Sequence, residues 1–255
     1  MKSKKREEIL GKKFSTNTSD DCVVIDYRGT YDVTVQFCTY PCIVSCRLGN
    51  LIRGEVKNPM FPSFYEKGYI GLGEYSFKEK AYSRLWNKVL LRAYCEKNST
   101  EHATYEDVEV CDEWLNFQNF AAWCDTQEFF NTKDDKGSSY HLDKDILAKG
   151  NKIYSPDSCC FVPQYVNKLL SKRDKMRGEY LVGVTYEKKC SRYIAGMSVF
   201  GKHKHIGSFD TEFEAFQAYK IAKEAYIKEM AEIWKDRIDE RVYQALINYE
   251  VHIDD

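Results

Sequence analysis

The chain has 255 residues, 43% of them hydrophobic and 30% charged, with a formal net charge of −1. This composition is typical of globular proteins, and the length suits one large domain or about two or three small ones. The near-neutral charge excludes a uniformly basic nucleic-acid binder, and the absence of a run of about eighteen apolar residues argues against a membrane partner.

The N-terminal residues 1–8 form a basic arm that lacks the apolar core of a signal peptide. We therefore expect a cytoplasmic protein whose ten cysteines are reduced. Cys38, Cys42 and Cys46 stand four residues apart, which in an extended strand separates neighbours by about 13 Å, too far for one ion. Because a Cys-x-x-Cys pair is also missing, buried thiols are favoured over a zinc site.

Period-two segments follow the arm. β-branched and aromatic residues alternate over residues 22–27 and 31–37, which predicts a hairpin around a glycine turn. Two more short strands are predicted over residues 42–48 and 51–56. Together these segments predict a small, strongly bent β-domain, with a closed barrel as one alternative.

The next module is mainly helical by pattern. Residues 68–73 contain three glycines, but their spacing matches neither a dinucleotide-binding loop nor a Walker loop, so we interpret them as a flexible connector. Apolar residues at three- and four-residue steps predict a helix over residues 78–95. A second apolar set predicts a short strand and then a helix that Asp112 caps.

The central part of the chain combines a short apolar strand, clustered carboxylates and a later asparagine. Residues 140–146 predict the strand, a Gly150-Asn151 turn leads to a second apolar run, and a helix carrying Asn167 follows. Strand, loop, strand and helix around one polar pocket give the outline of a ββα metal finger. This order resembles the core of phage-type HNH homing endonucleases, over about residues 82–167.

The resemblance implies a divalent-cation site and DNA cleavage. It assigns Asp143 and Asn167 as metal ligands, with Mg²⁺ as the expected ion, and it places Lys144 where the family has its histidine general base. A lysine with an ordinary pKa of about 10.4 is a poor base at neutral pH. We therefore expect that a catalytic site made of Asp143, Lys144 and Asn167 hydrolyses DNA poorly. The site either keeps a single Mg²⁺ ion or has the Lys144 ammonium in place of the ion. His141, three residues before Lys144, is expected on the opposite face of the strand from it.

The C-terminal part predicts a sheet on a helix. Strands are predicted over residues 182–186, 192–199 and 202–209, followed by a long helix with Asp210 or Thr211 as its cap. The pattern resembles the ethylene-response-factor (APETALA-type) DNA-binding domain. The residues that carry this resemblance are Gly183-Val184, Tyr193-x-Ala195, Ile206-Gly207-x-Phe209-x-Thr211 and Glu214-Ala215-x-x-Ala218-Tyr219.

Alternation assigns the faces of this sheet. Ala195, Met197 and Ile206 are expected to face the helix, and the opposite face is the one that enters the major groove in the resembled family. Positive residues are concentrated between residues 171 and 209. We expect phosphate contacts from Lys188, Lys189, Lys202 and Lys204, and base contacts from Arg192, His203 and His205. A solvated basic face that binds nothing specific is the alternative.

These features predict an α+β fold in three parts. The parts are a basic arm with a small β-domain (residues 1–75), an HNH-like ββα core with flanking helices (residues 76–175), and a three-stranded antiparallel sheet with helices (residues 176–255). The leading hypothesis is a phage-type protein that binds double-stranded DNA, in the cytoplasm of the host, with compromised nuclease chemistry. Two alternatives stay open. The chain is an active Mg²⁺-dependent homing-type endonuclease, or a phage protein with an acidic tail that binds a host protein complex without catalysis.

Overall fold

The computed structural model describes residues 2–18, 20–95, 107–170 and 179–255. The described chain has the predicted α+β class and forms two compact units. The first unit is Met1–Thr126 with Ile153–Ser155, and the second is Gln127–Lys152 with Pro156–Asp255. Across these described ranges, no helix combines the length and the apolar character that crossing a bilayer requires. Part of the predicted basic stretch lies outside the described residues, namely Lys172, Arg173, Lys175 and Arg177.

Helices and strands alternate along the chain. The described helices are α1 Lys2–Ile9, α2 Leu48–Ile52, α3 Lys80–Tyr94, α4 Asp112–Leu115, α5 Phe117–Asp125, α6 Gln164–Leu170, α7 Glu212–Trp234 and α8 Glu240–Ile247, with a short 3-10 helix over Lys235–Arg237. The described strands are β1 Lys13–Phe14, β2 Cys22–Gly29, β3 Asp32–Phe37, β4 Ile43–Cys46, β5 Glu109–Val110, β6 His141–Asp143, β7 Ile153–Tyr154, β8 Cys160–Val162, β9 Val184–Glu187, β10 Arg192–Val199 and β11 Lys202–Phe209.

The first unit begins with a four-stranded antiparallel sheet in the order β1-β2-β3-β4. Val24, Val33 and Val35 are buried on its inner face, and residues between them point outward, as period-two alternation requires. The predicted hairpin and the small β-domain are therefore confirmed. The order leaves β1 and β4 at opposite edges, so the sheet is open.

One predicted strand of this unit does not form. The prediction of a strand over residues 51–56 is wrong, because α2 occupies Leu48–Ile52 and residues 53–56 form a turn and irregular structure. Leu48 and Leu51 are both buried, and a spacing of three residues places them on one side of a helical turn rather than on one face of a strand.

An aromatic core holds the rest of the first unit, and β5 pairs in parallel with β7. Trp86, Trp114 and Phe117 are fully buried within it. The prediction that Asp112 caps a helix is wrong, because α4 starts at that residue and Cys111 precedes it without a side-chain cap. The capping side chain is Asn116, which accepts a hydrogen bond from the backbone N–H of Gln118 at the start of α5.

The glycine segment over residues 68–73 packs tightly against this core. A Cβ added at Gly68 would lie 2.5 Å from Leu90 Cδ1, and Gly71 has a φ of +76° where a Cβ would meet Asn116 Oδ1 at 2.1 Å. The N–H of Tyr69 donates to the carbonyl of Leu115 across 2.9 Å. The interpretation as a flexible connector is therefore wrong, since these glycines permit close backbone approach.

The second unit contains the predicted strand, strand and helix in order. β6 and β8 pair in antiparallel register, with Leu142 opposite Phe161, and α6 follows after Pro163. Val162 and Val166 are fully buried in the core of this unit. The ββα outline that the sequence predicted is therefore present as secondary structure.

The remainder of the second unit is a three-stranded antiparallel sheet in the order β11-β10-β9, covered on one face by α7. β10 and β11 have the predicted bounds. Thr211 and Glu214 form a reciprocal capping box at the start of α7, which confirms the predicted N-cap. Ala195 and Met197 are buried against the helix side, together with Phe216 of α7.

Candidate functional site

The ββα segment brings the two predicted metal ligands together. Asp143 is the last residue of β6, and Asn167 lies in α6 with its Nδ2 donating to Asp143 Oδ2 across 3.1 Å. The other oxygen of Asp143, Oδ1, accepts the backbone N–H groups of Asp145 and Ile146, each at 2.8 Å. The carboxylate therefore shapes the turn after β6 as well as facing α6.

Burial raises the pKa of the Asp143 carboxyl above its ordinary value, against the smaller lowering effect of the two backbone N–H donors. Mg²⁺ is commonly held by one or two carboxylates and other oxygen ligands, with several waters completing its shell. In this arrangement, however, Asn167 presents its Nδ2 rather than its amide oxygen to Asp143. Among the described residues, no group of three or more histidine, cysteine, aspartate and glutamate side chains is placed to share an ion. Asp143 and Asn167 would hold Mg²⁺ here only with the Asn167 amide turned so that its oxygen faces the ion.

Lys144 hydrogen-bonds to the loop that follows β6. Its side chain is 9% exposed, and its Nζ donates to Asp145 Oδ1 across 2.8 Å and to the carbonyl of Asn151 across 2.6 Å. Asn151 Nδ2 donates back to the carbonyl of Lys144 across 2.9 Å. The ammonium therefore stabilises the loop between β6 and β7.

His141 is a candidate that the sequence analysis did not assign to the site. β6 pairs without a bulge, with His141 opposite Val162 and Asp143 opposite Cys160. Because side chains alternate along a strand, His141 and Asp143 share one face and the buried Leu142 lies on the other. The sequence could have indicated this, because residues two apart in a strand share a face and His141 stands two residues before Asp143.

The outer face of the β9–β11 sheet is open to solvent. Register pairs Gly196 with His205 and Ser198 with His203, and these positions alternate with the buried Ala195 and Met197. All the predicted contact residues in β11 and in the turn before β10 are exposed, namely Lys188, Lys189, Lys202, His203, Lys204 and His205.

The lysines and histidines of β11 lie on different sides of that edge strand. Lys204 is opposite Met197 and Lys202 is opposite Val199, so both lysines start on the helix side of the sheet. His203 and His205 start on the outer face. Lysine side chains are long enough to reach around an edge strand, which suits a rim of phosphate contacts around a central face.

Arg192 differs from the other predicted contacts. Its Nη1 lies 2.9 Å from Asp210 Oδ1, and its Nη2 donates to the carbonyl of Ser208 across 3.1 Å. Its Nε is buried and has no hydrogen-bond acceptor in the described structure. The guanidinium is therefore held by residues at the end of β11, and base contact from Arg192 would require breaking this ion pair.

His203 lies directly over Gly196. A Cβ added at Gly196 would be 2.5 Å from His203 Nε2 and 2.9 Å from Cε1. The imidazole therefore occupies the space that a longer side chain at position 196 would fill. Sequence alternation placed both residues on the outer face, but it gave no sign that the glycine makes room for the histidine.

The acidic C-terminal tail is held against the second unit. Lys149 Nζ lies 2.5 Å from Asp255 Oδ2, and Lys220 Nζ donates to the carbonyl of Val251 across 2.7 Å. The N–H of Val251 donates to Glu224 across 2.8 Å. These contacts engage part of the tail that the sequence suggested as a surface for a protein partner.

No family model, curated protein or solved structure matches this chain. The function is therefore inferred from the geometry of the ββα segment and of the β9–β11 sheet.

Proposed function

We propose that this protein binds double-stranded DNA through the outer face and rim of the β9–β11 sheet. The observation that carries the proposal is the arrangement of this sheet. One face is buried on α7, and the other is exposed and bordered by Lys188, Lys189, Lys202 and Lys204. His203 and His205 are exposed on the outer face and supply groups that can donate to base edges.

The net charge of −1 is compatible with this role. Binding to DNA depends on the local field and on the release of counterions from the phosphates that lysines contact, rather than on the total charge. We also propose a cytoplasmic location, that of the host if the chain is phage-encoded.

The ββα segment then acts chiefly as a scaffold. Lys144, at the position where the resembled nucleases have their general base, is committed to Asp145 and Asn151. A protonated lysine with two acceptors is a poor proton acceptor. We infer that DNA is held without efficient cleavage.

The direct test is the affinity for a short duplex over a range of salt concentrations, measured by fluorescence anisotropy. The logarithm of the binding constant should fall linearly with the logarithm of salt concentration, with a slope of about −0.9 for each phosphate contacted. An affinity that is absent at low salt, or that does not respond to salt, would contradict the proposal.

A second candidate function is favoured by a specific observation. Asp143 is a desolvated carboxylate beside Asn167, and His141 shares its strand face. In a Mg²⁺-dependent endonuclease, Asp143 and Asn167 would hold the ion and His141 would accept the proton of the attacking water. The bound ion would polarise the scissile phosphate.

Supercoiled plasmid incubated with the protein and Mg²⁺ or Mn²⁺ separates the two functions. The DNA-binding proposal predicts that the plasmid stays supercoiled. Nicking that disappears in both Asp143→Ala and His141→Ala would establish the endonuclease instead.

A further inference from the structure

Phe200 has an unusual position in the second unit. It lies with Gly201 in the two-residue loop between β10 and β11, and its φ is +48° while that of Gly201 is +78°. A loop with positive φ at both central residues favours asparagine or aspartate before glycine, because a bulky side chain is strained there. Phe200 is nevertheless 63% exposed, so burial of its ring does not explain the residue.

The ring of Phe200 is fixed from one side. It stacks on Tyr165 of α6, with centroids 5.4 Å apart and an interplanar angle of 21°, and it meets Tyr226 of α7 edge-on at 6.0 Å. The hydroxyl groups of Tyr165 and Tyr226 form a hydrogen bond, and the N–H of Phe200 donates to the Tyr226 hydroxyl across 3.3 Å. A strained hairpin tip is thus held by two tyrosines, Tyr165 and Tyr226, while Phe200 stays largely open to solvent.

Two exposed lysines lie near this ring. Lys202 is two residues along the chain and exposed, and Lys168 lies one helical turn after Tyr165 and is also exposed. Phe200, Tyr165, Lys168 and His203 line one cavity of about 1040 Å³. The same cavity also carries Asp134, Asp135 and Asp255, of which Asp135 is paired with Arg237 and Asp255 with Lys149. An aromatic face beside exposed lysines is the combination that proteins use to stack single bases while holding the adjoining backbone.

We propose that Phe200, supported by Tyr165, is a stacking platform for an unpaired base of DNA that lies along the sheet. The ligand is a nucleic acid with a base outside the duplex, as at a bulge or a mismatch. The proposal rests on the DNA-binding function above and adds a preference for distorted DNA. The aromatic face would let this site distinguish an unpaired base from a paired one. The lysine rim alone cannot do so, since lysines contact the phosphates of paired and unpaired DNA alike.

The test uses the full chain and two short duplexes. One carries 2-aminopurine as a single-base bulge, and the other carries it paired. Wild-type protein should bind the bulged duplex more tightly and quench its fluorescence on binding, because stacking on an aromatic ring quenches this base. Phe200→Leu should weaken binding to the bulged duplex by about tenfold, abolish the quenching, and leave the paired duplex unaffected.

Three variants make the result specific. Phe200→Trp should preserve the quenching. Phe200→Asn suits the positive φ and should melt at the wild-type temperature or above while losing the bulge preference. Phe213→Leu is the matched control, because Phe213 is 57% exposed at the start of α7, and it should change neither affinity nor fluorescence.

The outcomes distinguish this inference from the function it rests on. Equal affinity of wild-type protein for both duplexes, without quenching, would overturn the stacking platform and leave DNA binding standing. Failure to bind either duplex would overturn both.

Discussion

Lys144 and Asn151 close a loop by two reciprocal hydrogen bonds, from Lys144 Nζ to the carbonyl of Asn151 at 2.6 Å and from Asn151 Nδ2 to the carbonyl of Lys144 at 2.9 Å. This pair explains why a lysine follows the aspartate that ends β6. The ammonium supplies a donor to a part-buried backbone carbonyl, and the chain gains a fixed turn between β6 and β7.

Lys144→Met should therefore lower the free energy of unfolding by about 1–3 kcal/mol, since a part-buried carbonyl loses its charged donor. Chemical denaturation measures this loss, provided that the slope of the unfolding free energy against denaturant concentration is the same in both proteins. Lys136→Met is the control, because Lys136 is an exposed lysine of the same unit, and it should be within about 0.5 kcal/mol of wild type. Equal stability of the two variants would show that the Lys144 ammonium contributes nothing to the loop.

Gly196→Ala should weaken DNA binding through His203 rather than through the fold. The added Cβ would meet the far end of the imidazole at 2.5 Å, and an exposed side-chain end can rotate away at small cost. Melting should be nearly unchanged, while duplex affinity should fall as far as it does in His203→Ala.

A double-mutant cycle checks this dependence. In the His203→Ala background, Gly196→Ala should have no further effect on affinity, whereas in a His205→Ala background its effect should persist. Additive effects of Gly196→Ala and His203→Ala would separate the glycine from the histidine.

The difference in the free energy of unfolding between the wild type and Asp143→Asn should depend on pH, because the Asp143 carboxyl is buried. Burial raises its folded-state pKa above 3.8, so the folded protein binds the proton more tightly than the unfolded chain does. Ionisation therefore costs stability. The cost is absent at pH values below 3.8 and grows as the pH rises through the folded-state pKa.

Denaturation of both proteins over the acid range measures this difference. Relative to Asp143→Asn, the wild type should lose stability with increasing pH and then reach a plateau. A wild type that instead gains stability over Asp143→Asn in that range would mean that hydrogen bonds to the ionised carboxylate outweigh its burial. Added Mg²⁺ should leave the curves unchanged if the site holds no ion.

Local pattern was sufficient to predict much of the second unit. The bounds of β10 and β11 follow from strict alternation, and the start of α7 follows from Thr211 and Glu214 at capping-box spacing. Asp143 and Asn167 were also placed together correctly, because strand, turn, strand and helix follow one another in the chain with little freedom between them.

The errors share a different cause. The residues of α2 were divided between two predicted strands and a Gly49-Asn50 turn, because two leucines three residues apart do not by themselves establish a helical period. The packing of Gly68 on Leu90 joins residues that are far apart in sequence. The orientation of Lys144 depends on a hydrogen bond to a carbonyl seven residues away. The position of the His203 imidazole depends on Gly196 in the neighbouring strand. Neither arrangement could be derived from local spacing.

The lysine rim is the central claim, and the salt dependence of duplex binding tests it most directly. Replacing Lys188, Lys189, Lys202 and Lys204 with alanine should reduce the magnitude of the slope by about 0.9 for each lysine that contacts a phosphate. Replacing the exposed Lys57, Lys67, Lys78 and Lys80 of the first unit changes the net charge equally and should leave the slope as in wild type. Equal slopes in the two variants would contradict a DNA-binding face on the β9–β11 sheet.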